Sequence, residues 1–132
     1  MESNHFTSNS SEFIKKIQEV QLLMKDEKYQ EALIILDKLK EIEKAGNFDY
    51  SLTHKLYQLI SNSHSLYNQQ MILKVIQKEV SQQELISFTK LKEILKEREN
   101  IDIKEPILRR EVEILILRSL LQCKIERDEL VF

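Results

Sequence analysis

The stretch Pro106-Ile107-Leu108-Arg109-Arg110-Glu111-Val112-Glu113-Ile114-Leu115-Ile116-Leu117-Arg118-Ser119-Leu120-Leu121-Gln122-Cys123-Lys124-Ile125 decides the fold. At about 100° per residue, Leu108, Val112, Leu115, Ile116 and Leu120 share one helical face. Ile107, Ile114, Leu117, Leu121 and Ile125 share the opposite one. Glu113 and Lys124 separate the stripes on one side, and Glu111, Arg118 and Gln122 on the other. Pro106 suits a first helical turn, where its missing N–H is not needed. A surface helix needs a single apolar stripe. One with two either lies centrally in a bundle or turns its second face to a partner or to another copy.

Upstream, the helical period recurs. Phe13, Ile17, Val20 and Met24 define a first helix, entered through Asn9 with Glu12 three residues on and ending at Asp26-Glu27. Ala32, Ile35, Leu36, Leu39 and Ile42 form one face of a second, widened by Leu33 and Ile34, with Gly46 as its left-handed C-cap. Ser51 caps a third helix bearing Leu52, Leu56, Leu59 and Ile60. The run Ser61-Asn62-Ser63-His64-Ser65 competes for backbone hydrogen bonds and is expected to end it. A fourth helix follows over 66–80, with Ile72, Val75, Ile76 and Val80 inward. Ser81-Gln82-Gln83-Glu84 has capping-box spacing, and Leu85, Phe88, Leu91 and Leu95 then define a fifth helix. Residues 100–104 break the pattern before the Pro106 segment.

Composition agrees with helices. The chain has 132 residues but Gly 1 and Pro 1, too few turn residues for a sheet-rich fold. The expectation is an all-α fold of five or six helices packed as consecutive antiparallel hairpins with short connections. Residues 1–9, rich in Ser and Asn, read as a disordered tail, and 10–132 as a single helical domain.

Several function classes fall away. Lys+Arg 20 against Asp+Glu 22 leaves no excess of positive charge to drive binding to phosphates. Lys90, Lys92, Lys96, Arg98, Arg109 and Arg110 are interrupted by Glu93, Glu97, Glu99, Glu105 and Glu111, so a solvated mixed face is expected rather than a nucleic-acid surface. A lone cysteine, Cys123, excludes an internal disulfide. The start of the chain lacks the apolar run of a signal peptide, and no stretch approaches the roughly 18–20 apolar residues of a membrane span. A cytoplasmic or nuclear protein follows by default. His5, His54, His64 and Cys123 show no metal-ligand spacing, and one glycine cannot build a phosphate loop. Cys123 beside an apolar stripe reads as a buried, inert thiol. No catalytic residue, metal site or cofactor is expected.

Residues Lys25-Asp26-Glu27-Lys28-Tyr29-Gln30-Glu31-Ala32-Leu33 resemble the turn of a tetratricopeptide (TPR) hairpin, with Tyr29 after a polar turn and Ala32 three residues later. The match spans residues 13–45, and Glu27, Val20, Leu39 and Lys44 depart from the family pattern. No second copy occurs at the 34-residue period, so the resemblance implies an irregular TPR-like bundle and not a regular array. Ala32-Leu33-Ile34-Ile35-Leu36-Asp37-Lys38-Leu39 also resembles the Ala-Leu-x-x-Leu-x-x-Leu helix of the N-terminal domain of the transcription elongation factor TFIIS. The Ile-Gly step and closing Lys-Trp of that family are absent here.

Together these point to a non-catalytic protein–protein interaction or assembly subunit of a larger intracellular complex. It would bind a partner's helix or short linear motif through an apolar face, with Ile114, Leu117 and Leu121 as partner-binding anchors if that face is free. Homo-oligomerisation is left open. The TFIIS resemblance implies the alternative, a nuclear transcription-elongation docking domain.

Overall fold

The computed structural model describes residues 10–80 and 83–132 in full and residues 2–9 by backbone alone. The tail expected over 1–9 and its Asn9 cap lie outside the fully described part. Among the described residues, five helices and three short strands follow one another. They are α1 (Glu2–Lys25), α2 (Tyr29–Ala45), α3 (Tyr50–Val80), β1 (Leu85–Ser87), α4 (Phe88–Glu99), α5 (Glu105–Leu117), β2 (Lys124–Glu126) and β3 (Glu129–Val131). The fold is mostly helical. The chain groups into two compact units, Met1–Tyr67 and Asn68–Phe132.

In the first unit the helical period does what it promises. Phe13, Ile17 and Val20 of α1 meet Ala32, Leu33, Leu36 and Leu39 of α2 in one buried cluster, joined by Leu56 and Leu59 of α3. Burying such side chains supplies roughly 1.5–3 kcal/mol each. The Phe13 and Phe48 rings lie 4.6 Å apart, so α2 doubles back along α1. Glu27, in the three-residue connection, has φ 61, a left-handed conformation usually left to glycine. Gly46, by contrast, is extended at φ −108 and not left-handed. Its missing side chain makes room for Phe48, whose Cε2 would lie 2.5 Å from a Cβ. Ile42, expected on the buried face of α2, and Ile34, expected to widen it, are exposed.

The Ser61–Ser65 run does not interrupt α3. Helix propensity is a weak preference, worth less per residue than the packing of Leu56, Leu59, Ile72, Val75 and Ile76 on the same helix. Ser63, inside that run, is fully buried.

The second unit is built around Ile72, Val75 and Ile76 of α3, Phe88, Leu91, Ile94 and Leu95 of α4, and Leu108, Val112 and Leu115 of α5. The expected fifth helix starts later than its capping-box spacing suggests. Leu85–Ser87 is strand, Ser87 Oγ accepts from Lys90 N–H as the cap of α4, and Ser81 and Gln82 lie outside the described residues. Asn100 closes α4 at φ 55 with Ile101 N–H donating to the Leu95 carbonyl.

The largest departure is at the quoted stretch. Instead of running to Ile125, α5 ends at Leu117. Ser119 turns left-handed at φ 61, and Leu120 N–H donates to the Leu115 carbonyl at 3.0 Å. This pattern satisfies the last carbonyls of the helix and ends it. The chain beyond forms an antiparallel sheet ordered β1-β3-β2. Ile86 and Ile125 both face Leu130 across the ladders, and Leu130 is fully buried. Phe88 N–H to the Asp128 carbonyl and Phe132 N–H to the Glu84 carbonyl, both 2.9 Å, extend the β1–β3 pairing at each end.

Candidate functional site

Because α5 stops at Leu117, residues 118–123 are free to build a wall. Leu120, Leu121 and Gln122 face Leu73, Ile76, Gln77 and Val80 of α3 across an open groove of about 280 Å³, with Phe132 at its side. The α3 residues stand at i, i+3, i+4 and i+7, the spacing that places side chains on one helical face. Among the described residues, no charged side chain lines the groove, and its polar lining groups are the Gln77 and Gln122 amides, each both donor and acceptor. The volume lies below the roughly 300–1,000 Å³ of sites that enclose drug-sized ligands, and suits a few apolar side chains instead.

The three residues expected to anchor a partner do not share one surface. Leu117, the last residue of α5, is 83% exposed, and Ile114 is half-buried. Leu121 is only 8% exposed and belongs to the core of its unit while lining the groove. It left the Ile114–Leu117 face because it lies past the helix end. Leu120, expected on the helical face of Leu108 and Val112, and Val80, expected inward, are 50% and 40% exposed and line the groove. No glycine marks Ser119 as the turn. The one sequence signal for the strands is Lys124-Ile125-Glu126 and Glu129-Leu130-Val131, where Ile125 and Leu130 alternate with polar neighbours on either side of a two-residue turn.

Around the groove, charge is uneven. Lys78, Arg118 and Lys124 are exposed, each within two residues of a lining side chain. Arg118 Nη1 donates to the buried Gln69 amide oxygen at 2.6 Å, which ties the end of α5 to α3 one turn before Leu73. Lys74 is paired with Glu99 at 2.7 Å, and the buried Glu79 with Arg98 at 2.6 Å. Glu84 is exposed, and its carbonyl accepts from Phe132 N–H.

Elsewhere the chemistry-bearing residues lie apart. Cys123 is half-buried against the apolar cluster of its unit, and burial pushes its thiol above the usual range. His54 and His64 are exposed on α3, and His5 lies outside the fully described residues. Among the described residues, no group of three His, Cys, Asp or Glu side chains is placed to hold a metal ion. Of the basic residues of α4 and α5, Lys92, Arg98, Arg109 and Arg110 each have an acidic neighbour within 4 Å. Glu111, expected on a polar boundary of the helix, is fully buried, with Arg110 Nε 3.9 Å from its Oε1. In the first unit, Glu43 accepts from Thr53 Oγ1 and Tyr57 Oη. Desolvation, then that carboxylate and the nearby Glu41 charge, raise the Tyr57 phenol. Among the described residues, no helix is long and apolar enough to cross a membrane.

No protein-family model, curated protein or solved structure matches the chain.

Proposed function

We propose that the chain is a non-catalytic protein–protein interaction or assembly subunit that takes a partner's helix or short linear motif into the α3 groove. The observation that carries this reading is the pair Leu117 and Leu120. Leu117, the last residue of α5, and Leu120, which lines the groove, are large apolar residues left exposed, and no charged side chain among the described residues lines the groove. Water leaves such a surface at a gain of roughly 25 cal/mol per Å², so a matching apolar surface is attracted to it.

The α1–α2 pair supports the same reading. Tyr29 and the fully buried Ala32 stand where the TPR-like turn has its aromatic and its small residue. Glu27 takes the left-handed backbone where that family has glycine. An irregular TPR-like bundle in the cytoplasm or nucleus is the setting we assign to it.

Affinity purification of the tagged full chain from its native cell, beside Leu120→Asp, tests the reading. A stoichiometric companion retained by the parent chain and lost by the variant is expected. Recovery of the chain alone, or of the same companion with both, contradicts it.

A further inference from the structure

We propose that strand β2 pairs with β2 of a second copy of this chain, antiparallel and centred on Ile125. This pairing is independent of the α3 groove and is made by backbone. The sheet order β1-β3-β2 leaves β2 on an edge. The hydrogen-bond phase of the sheet says which groups that edge presents. Phe88 N–H donates to the Asp128 carbonyl and Phe132 N–H to the Glu84 carbonyl, so residues 128, 130 and 132 turn their backbone groups toward β1. Glu129 and Val131 then bond to β2, through their register partners Glu126 and Lys124. Ile125, opposite Leu130, is left with its N–H and C=O pointing out of the sheet. Among the described residues neither group has a partner. Such an unpaired edge is a template for another strand.

Side chains select which strand. Lys124 and Glu126 flank Ile125, both are exposed, and neither forms an ion pair among the described residues. Glu126 instead stands opposite Glu129 across the β2–β3 ladder, a like-charge neighbour that favours a cation on its other side. An antiparallel copy centred on Ile125 supplies that cation. Lys124 then faces the partner's Glu126, and Glu126 the partner's Lys124. The two Ile125 residues exchange both N–H···O bonds, and the charge pairs fall at non-hydrogen-bonded positions, where side chains come closest. Centring the pair on residue 124 or 126 opposes Lys to Lys or Glu to Glu, as does a parallel copy in register. Charge therefore fixes direction and register together. A charge of one sign on an edge keeps copies apart, whereas this order of signs does not. The contact is isologous and joins two three-stranded sheets into one. It is far smaller than the interface of a stable dimer, so we expect association in the high micromolar range.

Sedimentation equilibrium of the full chain, from micromolar to millimolar concentration, tests the proposal. A monomer–dimer equilibrium is expected, with Ile125 amide exchange slowing as the dimer fills. Lys124→Glu and Glu126→Lys, each folded by circular dichroism, should each weaken dimerisation about tenfold, because each opposes like charges twice. Mixing the two variants, or combining both changes in one chain, should restore it. A chain that stays monomeric throughout overturns the proposal. So does a dimer indifferent to the single variants, one that the combined change fails to restore, or one in which Ile125 exchanges at its monomer rate. Slow Ile125 exchange in a chain that is monomeric at every concentration assigns the edge to a segment of the same chain and overturns the proposal as well.

Discussion

Arg109 on α5 holds Asp128 in the turn between β2 and β3, Nη2 to Oδ1 at 3.0 Å, and the same nitrogen donates to the Arg127 carbonyl at 2.8 Å. Its guanidinium also covers the Phe88 ring at 4.7 Å. One side chain therefore ties α5, the start of α4 and the hairpin together. Arg127, at φ 57, makes the turn without a glycine, and the carbonyl it presents is the one Arg109 takes.

Replacing Arg109 by Ala removes a cation–π contact of about 0.5–1 kcal/mol and a charge-assisted bond to a backbone carbonyl. The ion pair with the exposed Asp128 adds little. We expect a loss of about 2 kcal/mol in urea denaturation, with faster amide exchange at Phe88 and Leu130. Asp128→Asn should cost less than about 0.5 kcal/mol. Equal losses from the two variants would show that the ion pair is what holds the turn.

Leu117 and Leu121 should part company. Leu117→Asp places a charge on a largely exposed site at the C-terminus of α5, where it costs less than about 1 kcal/mol, so the variant should fold while losing partner binding. Leu121→Asp buries a carboxylate in the core of its unit, a change expected to cost at least about 3 kcal/mol. Thermal melts of the two variants separate the cases. An unfolded Leu117→Asp would place that residue in the core.

Ser63 is fully buried in α3, and its Oγ finds no hydrogen-bond partner among the described residues. An unsatisfied buried hydroxyl costs about 1–3 kcal/mol, and Ala is the better helix former. Ser63→Ala is expected to raise stability by about 1 kcal/mol, read as a higher urea midpoint at unchanged slope. A fall in stability would mean that the hydroxyl is bonded.

Cys123 should react slowly. Its thiol is raised by burial, and the thiolate is the reactive form. At neutral pH, alkylation by iodoacetamide is expected to be slower than for a free cysteine and to recover in urea. The sign of the pH effect follows. The folded chain holds this proton more tightly, so the contribution is intact below the ordinary thiol value and fades as pH rises through the raised one. Native alkylation as fast as in urea would refute the burial.

Much of the core was legible because apolar period and burial coincide. Phe13, Ile17 and Val20, then Ala32, Leu36 and Leu39, then Phe88, Leu91 and Leu95, then Leu108, Val112 and Leu115 are all buried at the spacing read from the residues. The breaks were less legible. At Ser61–Ser65 local preference yields to packing along α3, and at Ser119 a left-handed turn forms at a residue that gives no sign of it. Strands of three residues carry too short a pattern to compete with a helical reading that extends through Ile125. The candidate site suffers most, since the groove exists only because the helix ends early. Leu117, read on the second apolar face of the helix, is exposed, whereas Leu120 lies beyond the turn and lines the groove.

Site-specific photocrosslinking in the native cell tests the central claim most directly. A benzophenone amino acid at Leu120, on the groove, is compared with one at Leu22, exposed on α1 in the other unit. The account predicts a discrete crosslinked partner from position 120, absent from position 22 and lost on adding Leu117→Asp. A partner captured from position 22 alone, or none from position 120, would contradict it.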